Sequence, residues 1–163
     1  RALIALMLYS FARVGAVLEM KVSDVFFQHR RMWVRLHEKR GKLHDMPCHH
    51  ELEAWLADYL TFAGTDNQLP LFRSLARSGG LSRRPLEQAN VLQMVKKRAR
   101  AAGIATEICN HTFRATGITA YLRNRGTLEI AARMANHSST QTTQLYDRRN
   151  DDIVLSEVER IRF

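Results

Sequence analysis

The stretch "DVFFQHRRMWVRLHEKRGKLHDMPC", residues 24–48, decides the fold class of this chain. Val25, Phe26 and Phe27 open it, Met32, Val34 and Leu36 then alternate with Arg31, Trp33 and Arg35, and a third run follows from Leu43 to Cys48. A period of two puts successive side chains on opposite faces of a strand, and the polar breaks near 28–30 and 40–42 read as turns. Two hairpins sharing a central strand predict a small antiparallel sheet.

Outward from the sheet the spacing turns helical. Residues 2–12 and 15–20 carry apolar side chains at helical intervals and are joined near Arg13 and Gly15. Beyond the sheet, Leu52, Trp55, Leu56, Tyr59 and Leu60 mark one side of a helix over 50–62, closed by Gly64. "RSGGLSRRP" (77–85) reads as a loop. Pro85 opens a helix ended by Gly103, with Leu86, Ala89, Leu92, Val95 and Ala99 inside and its bases outside. Shorter helices are expected over 111–124, 127–134, 139–147 and 151–161. The sum is a mostly α domain with a small antiparallel three-stranded β-sheet, an α+β architecture.

A chain of 163 residues buries one sizeable core, and one compact domain over 1–163 is expected. Lys and Arg total 25 against 16 Asp and Glu, a formal charge of +9 that suits a polyanion such as nucleic acid. The charge is uneven: residues 73–100 hold eight basic side chains and one acid, whereas 48–67 hold four acids and no Lys or Arg. Cys48 and Cys109 show no CxxC spacing and read as free thiols of a reduced compartment. "ALIALMLYSFA" (2–12) is too short to span a bilayer, so a core helix is expected and no membrane partner. Because the chain opens inside that apolar run, without a cap or an initiating Met, it reads as a fragment of something longer.

Chemistry concentrates in the last third. In "CNHTFRATGITAYL" (109–122), His111 and Arg114 are three apart and share a helix face, with Asn110 expected as the N-cap that would set both beside the free N–H groups of a helix start. In "NHSSTQTTQLYD" (136–147), a polar run nearly empty of core residues, His137 precedes Tyr146.

This combination resembles the catalytic domain of tyrosine recombinases, the family of phage integrases and chromosome-dimer resolvases, in which arginine, lysine, His-x-x-Arg, a second His or Trp, and tyrosine follow in that order. "SFARVGAVLEMKVSDV" (10–25) is similar to the first box, with Arg13 in the place of the first arginine, and "HEKRGKLHDMP" (37–47) to the lysine box, with Lys39 eight residues before Pro47. The resemblance runs from residue 2 to about 150. Four positions depart from it: Ala16 stands where an acid is usual, Asn136 where Gly precedes the histidine, and Thr112-Phe113 where Asp-Leu is usual.

The residue types fit metal-free attack on a phosphodiester. Charge building on the non-bridging oxygens calls for planar, permanently charged guanidiniums, for which Arg13 and Arg114 are the candidates. Lys39 would give a proton to the leaving 5′ oxygen. A phenol is a weak nucleophile at neutral pH, so Tyr146 needs a base and a positive field, supplied by His111 and His137 in roles that sequence leaves undivided. DNA contact is expected from Arg40, Lys42, Arg83, Arg84, Lys96 and Lys97.

His44, Cys48, His49 and His50 show no recurring zinc spacing, and neither GxxxxGK nor GxGxxG occurs, so no metal, nucleotide or other cofactor is expected. The resemblance implies a site-specific recombinase working through a 3′-phosphotyrosyl link, on double-stranded DNA, as a homotetramer, in the cytoplasm of a bacterium or the host of a mobile element. It also implies an N-terminal core-binding domain outside this chain, whose isolated catalytic piece would bind DNA poorly and be a monomer. Two other readings keep the fold: an idle DNA-binding module, and type IB topoisomerase-like relaxation.

Overall fold

The structure, a computed structural model, describes residues 1–149 and Arg160, the side chain of Arg40 excepted. The helix expected over 151–161 lies, Arg160 apart, outside the described residues. The chain divides into two compact units, Arg1–Gly117 and Ile118–Phe163.

In the first unit, α1 (Ala2–Tyr9) is apolar on all sides and buries Ala2, Leu3, Ala5, Leu6 and Met7. A helix of that kind can only be central, and it packs on α3 (His50–Ala63). Leu52 and Leu56, an i, i+4 pair on α3, are almost fully buried. His49 caps α3 by accepting the Glu51 N–H at Nδ1, 3.2 Å, and Gly64 ends it at φ +80, a left-handed conformation that favours glycine.

The short helix α2 (Val14–Leu18) rests on the sheet formed by β1 (Val25–Gln28), β2 (Arg31–Glu38) and β3 (Lys42–Pro47), antiparallel in that order. Val34 pairs with Val25 on one side and Met46 on the other, so the expected alternation holds: Met32, Val34 and Leu36 are buried. His29 and Arg30 both adopt positive φ, the two-residue turn whose twist suits a hairpin. The β2–β3 connection is a tight 3₁₀ turn over Lys39–Gly41.

Two expectations are corrected. The stretch expected as a loop at 77–85 belongs to a second hairpin, β4 (Arg73–Leu75) with β5 (Leu81–Pro85). Gly79 and Gly80 supply its turn at positive φ, and Ser74 and Ser82 bond hydroxyl to hydroxyl at 2.8 Å, so polar pairing replaces the apolar alternation that would have marked the strands. Pro85 therefore ends a strand, and α4 (Gln88–Ala101) begins three residues later. Val91 and Val95 form its buried stripe, Leu92 and Ala99 are half-buried, and Ala89 is exposed. Gly103 ends α4 as expected, at φ +68, with the Ile104 N–H reaching the Ala99 carbonyl at 3.0 Å.

Helix α5 (Asn110–Arg123) begins in the first unit and ends in the second. The second unit continues with α6 (Leu128–Met134) and α7 (Thr140–Gln144), which pack together, and buries Ile118, Leu122, Ala131, Ala132, Ala135 and the polar Thr143. Among the described residues no helix is long and apolar enough to cross a membrane.

Candidate active site

Arg13 sits at the N-cap of α2, directly after a turn strained at Phe11, a buried non-glycine residue at φ +54. The carbonyl of Phe11 accepts a hydrogen bond from Nη1 of Arg114, whose side chain is one of the largest fully buried groups in the chain at 1% exposure. Gly117, one turn further along α5, makes this approach possible: a Cβ there would collide with the Leu8 carbonyl and lie 2.9 Å from the Phe11 ring. One turn thus carries Arg13 and fixes Arg114.

Arg13, Lys39 and His111 line one open cavity of ≈ 830 Å³ in the first unit, together with Glu38, Cys109 and Asn110. Three separate segments contribute: the α1–α2 turn, the β2–β3 turn and the start of α5. Lys39 is exposed on the 3₁₀ turn, and Gly41 at φ +71 closes that turn. His111 is exposed one turn before the buried Arg114. Asn110 is not the N-cap expected from sequence. It is already the first helical residue, because Thr112 Oγ1 reaches back to accept the Cys109 N–H at 3.1 Å and closes the helix start one position earlier. That contact gives the Thr112 departure a structural role. Thr112 Oγ1 is also 3.6 Å from Cys109 Sγ, and this hydrogen bond holds the exposed thiol below its usual pKa.

Arg13 Nη1 donates to Oε2 of Glu38 at 2.8 Å, and Glu38 is 3% exposed against 33% for Arg13. Sequence reasoning did not single out Glu38, although the signal was present: the period that buries Met32, Val34 and Leu36 carries on inward to position 38. Next to it, His37 Nε2 lies 2.8 Å from Asp24 Oδ2, which also accepts the Lys21 N–H.

The second unit holds His137 and Tyr146. Helix α6 ends with Asn136 at φ +49, the Asn136 N–H bonding the Arg133 carbonyl (3.0 Å) and the His137 N–H the Ala132 carbonyl (2.9 Å). Asn is the residue after Gly most at ease in this left-handed position, so Asn136 in place of Gly preserves the geometry. His137 Nδ1 lies 2.9 Å from the hydroxyl of the buried Thr143, and its ring is nearly parallel to that of Tyr146, centroids 6.1 Å apart. The Tyr146 carbonyl accepts from Thr119 Oγ1 at 3.0 Å. The next residue, Asp147, is gripped by the Arg149 fork at 2.8 and 2.5 Å, which holds its carboxyl below the usual range. The half-buried tyrosine is therefore held on both sides.

The expected DNA contacts fall on the first unit. Arg84, Lys97 and Lys42 are exposed, Arg83 lies 3.9 Å from Asp66, and Lys96 lies 3.6 Å from Glu107. The side chain of Arg40 lies outside the described residues. Of the residues weighed as metal ligands, His49 stacks on Tyr9 at 4.5 Å while capping α3, and Cys48 is a buried thiol pushed up to about 12 by burial.

The fold is that of recombinases of known structure. It is similar to XerA recombinase (TM-score 0.75, 24% identity, 99% of this chain and 58% of that one). It is also similar to XerH site-specific recombinase bound to palindromic difH substrate (0.74, 19%, 98% and 43%) and to a lambda integrase dimer bound to a COC′ core site (0.69, 19%, 95% and 55%). The chain belongs to the Phage integrase family, whose sequence pattern matches residues 1–152. Its curated relatives include tyrosine recombinase XerD of Xanthomonas axonopodis pv. citri strain 306, 28% identical over 158 residues (90% of this chain, 49% of that protein). Its counterpart from Xanthomonas campestris pv. campestris is 29% identical over 158 residues (90% and 46%). The chain spans about half the length of these relatives.

Proposed function

We propose that this chain is the catalytic portion of a site-specific DNA recombinase. Tyr146 Oη attacks a scissile phosphate, forms a 3′-phosphotyrosyl bond and releases a 5′-hydroxyl, which leaves with a proton from Lys39. Attack by the 5′-hydroxyl of a partner strand on the phosphotyrosyl bond rejoins the backbone and returns the proton to Tyr146. The link conserves the energy of the broken bond, so the cycle consumes no nucleotide.

Arg13 and Arg114 neutralise the charge that grows on the non-bridging oxygens, each contributing roughly 3 kcal/mol to the transition state, as preorganised donors do elsewhere. His111 and His137 share the remaining work of holding phosphate oxygens and accepting the tyrosine proton. The observation that carries this reading is the convergence of Arg13, Lys39 and His111 on one cavity, with Arg114 fixed beside Arg13 through the Phe11 carbonyl. A basic surface on β5 and α4 supplies phosphate contacts outside the chemistry. The working protein acts on double-stranded DNA in the cytoplasm as a homotetramer whose remaining length lies outside this chain.

The test is a nicked duplex from the native attachment region, in which the cleaved strand's 5′-hydroxyl fragment diffuses away and traps the intermediate. A covalent peptide–DNA adduct mapping to Tyr146 and absent from Tyr146→Phe is expected. Tight binding without any adduct would instead make the chain an idle DNA-binding module, and relaxation of plasmids lacking the site would make it topoisomerase-like.

A further inference from the structure

We infer that Glu38 is a positioning residue for Arg13, a role that rests on the recombinase reading above. A carboxylate at 3% exposure is costly unless a cation meets it, and the partner is Arg13 Nη1 at 2.8 Å. The strand register puts it there: Glu38 is the last residue of β2, pairs with Lys42, and continues inward the row of Met32, Val34 and Leu36. Its backbone is therefore fixed by the sheet, and its carboxylate can only meet the guanidinium from the core side.

Arg13 is fixed far less by its own element. It caps a five-residue helix, and Ala16, which stands three residues on in α2 and also lines the cavity, offers it no acceptor. One nitrogen held from behind leaves the rest of the fork, in a side chain one-third exposed, turned to the cavity. The same residue precedes Lys39, so one buried carboxylate ties the arginine to the root of the lysine turn. Two cations on separate segments thereby keep a fixed relation before any phosphate arrives.

Glu38→Gln keeps the shape and an acceptor oxygen but removes the charge. On the nicked duplex its single-turnover rate of adduct formation is expected to fall about 10²-fold, the scale set by a misplaced group, with DNA affinity by fluorescence anisotropy changed less than about twofold. In an Arg13→Ala background the same substitution is expected to have no further effect on the rate, since the residue acts through Arg13. Glu38→Asp, which keeps the charge on a shorter stem, serves if Glu38→Gln does not fold, and is expected to lose rate to a smaller extent while still coupling to Arg13. A rate equal to wild type, or losses that simply multiply in the double variant, would overturn the positioning role. A wild-type protein that forms no adduct would instead overturn the recombinase reading itself.

Discussion

At Gly117 a single hydrogen atom decides whether α5 can lie against the α1–α2 turn. Replacing it with a methyl would drive carbon into the Leu8 carbonyl at the end of α1 and the ring of Phe11, the residue on whose carbonyl Arg114 is seated. Gly117→Ala is therefore expected to cost about 1–3 kcal/mol in urea unfolding, as overpacking of a tight contact does, despite the better helix propensity of alanine. The two thiols differ for reasons equally local. Burial raises Cys48 to about 12, whereas the Thr112 hydroxyl lowers exposed Cys109. At pH 7–8 one thiol, Cys109, should react rapidly with a thiol reagent, Cys48 should react on unfolding, and Thr112→Val should slow Cys109 by reducing its thiolate fraction.

At the level of elements, four of the six candidate side chains sit at the end of a helix or strand. Arg13 starts α2, Lys39 follows β2, His111 starts α5 and His137 follows α6. The α6 terminus depends on the left-handed backbone of Asn136, so Asn136→Val is expected to destabilise the protein by roughly 1–2 kcal/mol, with Asn136→Gly costing less. In the sheet, Arg35 and Asp45 face each other across β2 and β3 in a two-bond fork at 2.8 Å, which lowers the Asp45 pKa from 3.8. A lowered carboxylate adds stability above the unfolded value that is lost as pH falls through the folded one. Because both side chains are about 40% exposed, Asp45→Asn is expected to cost under about 1 kcal/mol at neutral pH, the difference from wild type closing as pH drops below 3.8 in thermal unfolding.

On the scale of the molecule, the charge of +9 is uneven, and β5 and α4 together carry six basic side chains and no acid. DNA affinity should fall linearly on a log–log plot against salt, and each of Arg84→Ala and Lys97→Ala should weaken all sequences alike and reduce the slope by about 1. Unchanged affinity between low and high salt would remove this surface from the DNA interface. The six candidate catalytic residues divide between the units: Arg13, Lys39, His111 and Arg114 lie in the first, His137 and Tyr146 in the second.

Local pattern by itself determined the three-stranded sheet and most of the helices around it, because period and turn residues are properties of neighbouring residues, and the order of the boxes along the chain nominated six candidate side chains. It misread 77–85, where a hairpin held by serine pairs and a Gly-Gly turn carries too little apolar alternation to announce itself, and it set the start of α4 three residues early for the same reason. It named Arg13 but not what orients it. Glu38 lies 25 positions away, and the two meet because the strand register turns position 38 inward while the strained turn at Phe11 points Arg13 toward it. Likewise the burial of Arg114 on the Phe11 carbonyl, 103 positions distant, follows from a close helix crossing that Gly117 allows. Such pairings were decided by the tertiary structure, because a buried charge takes its partner from whatever the fold brings within reach, and sequence separation does not enter that choice.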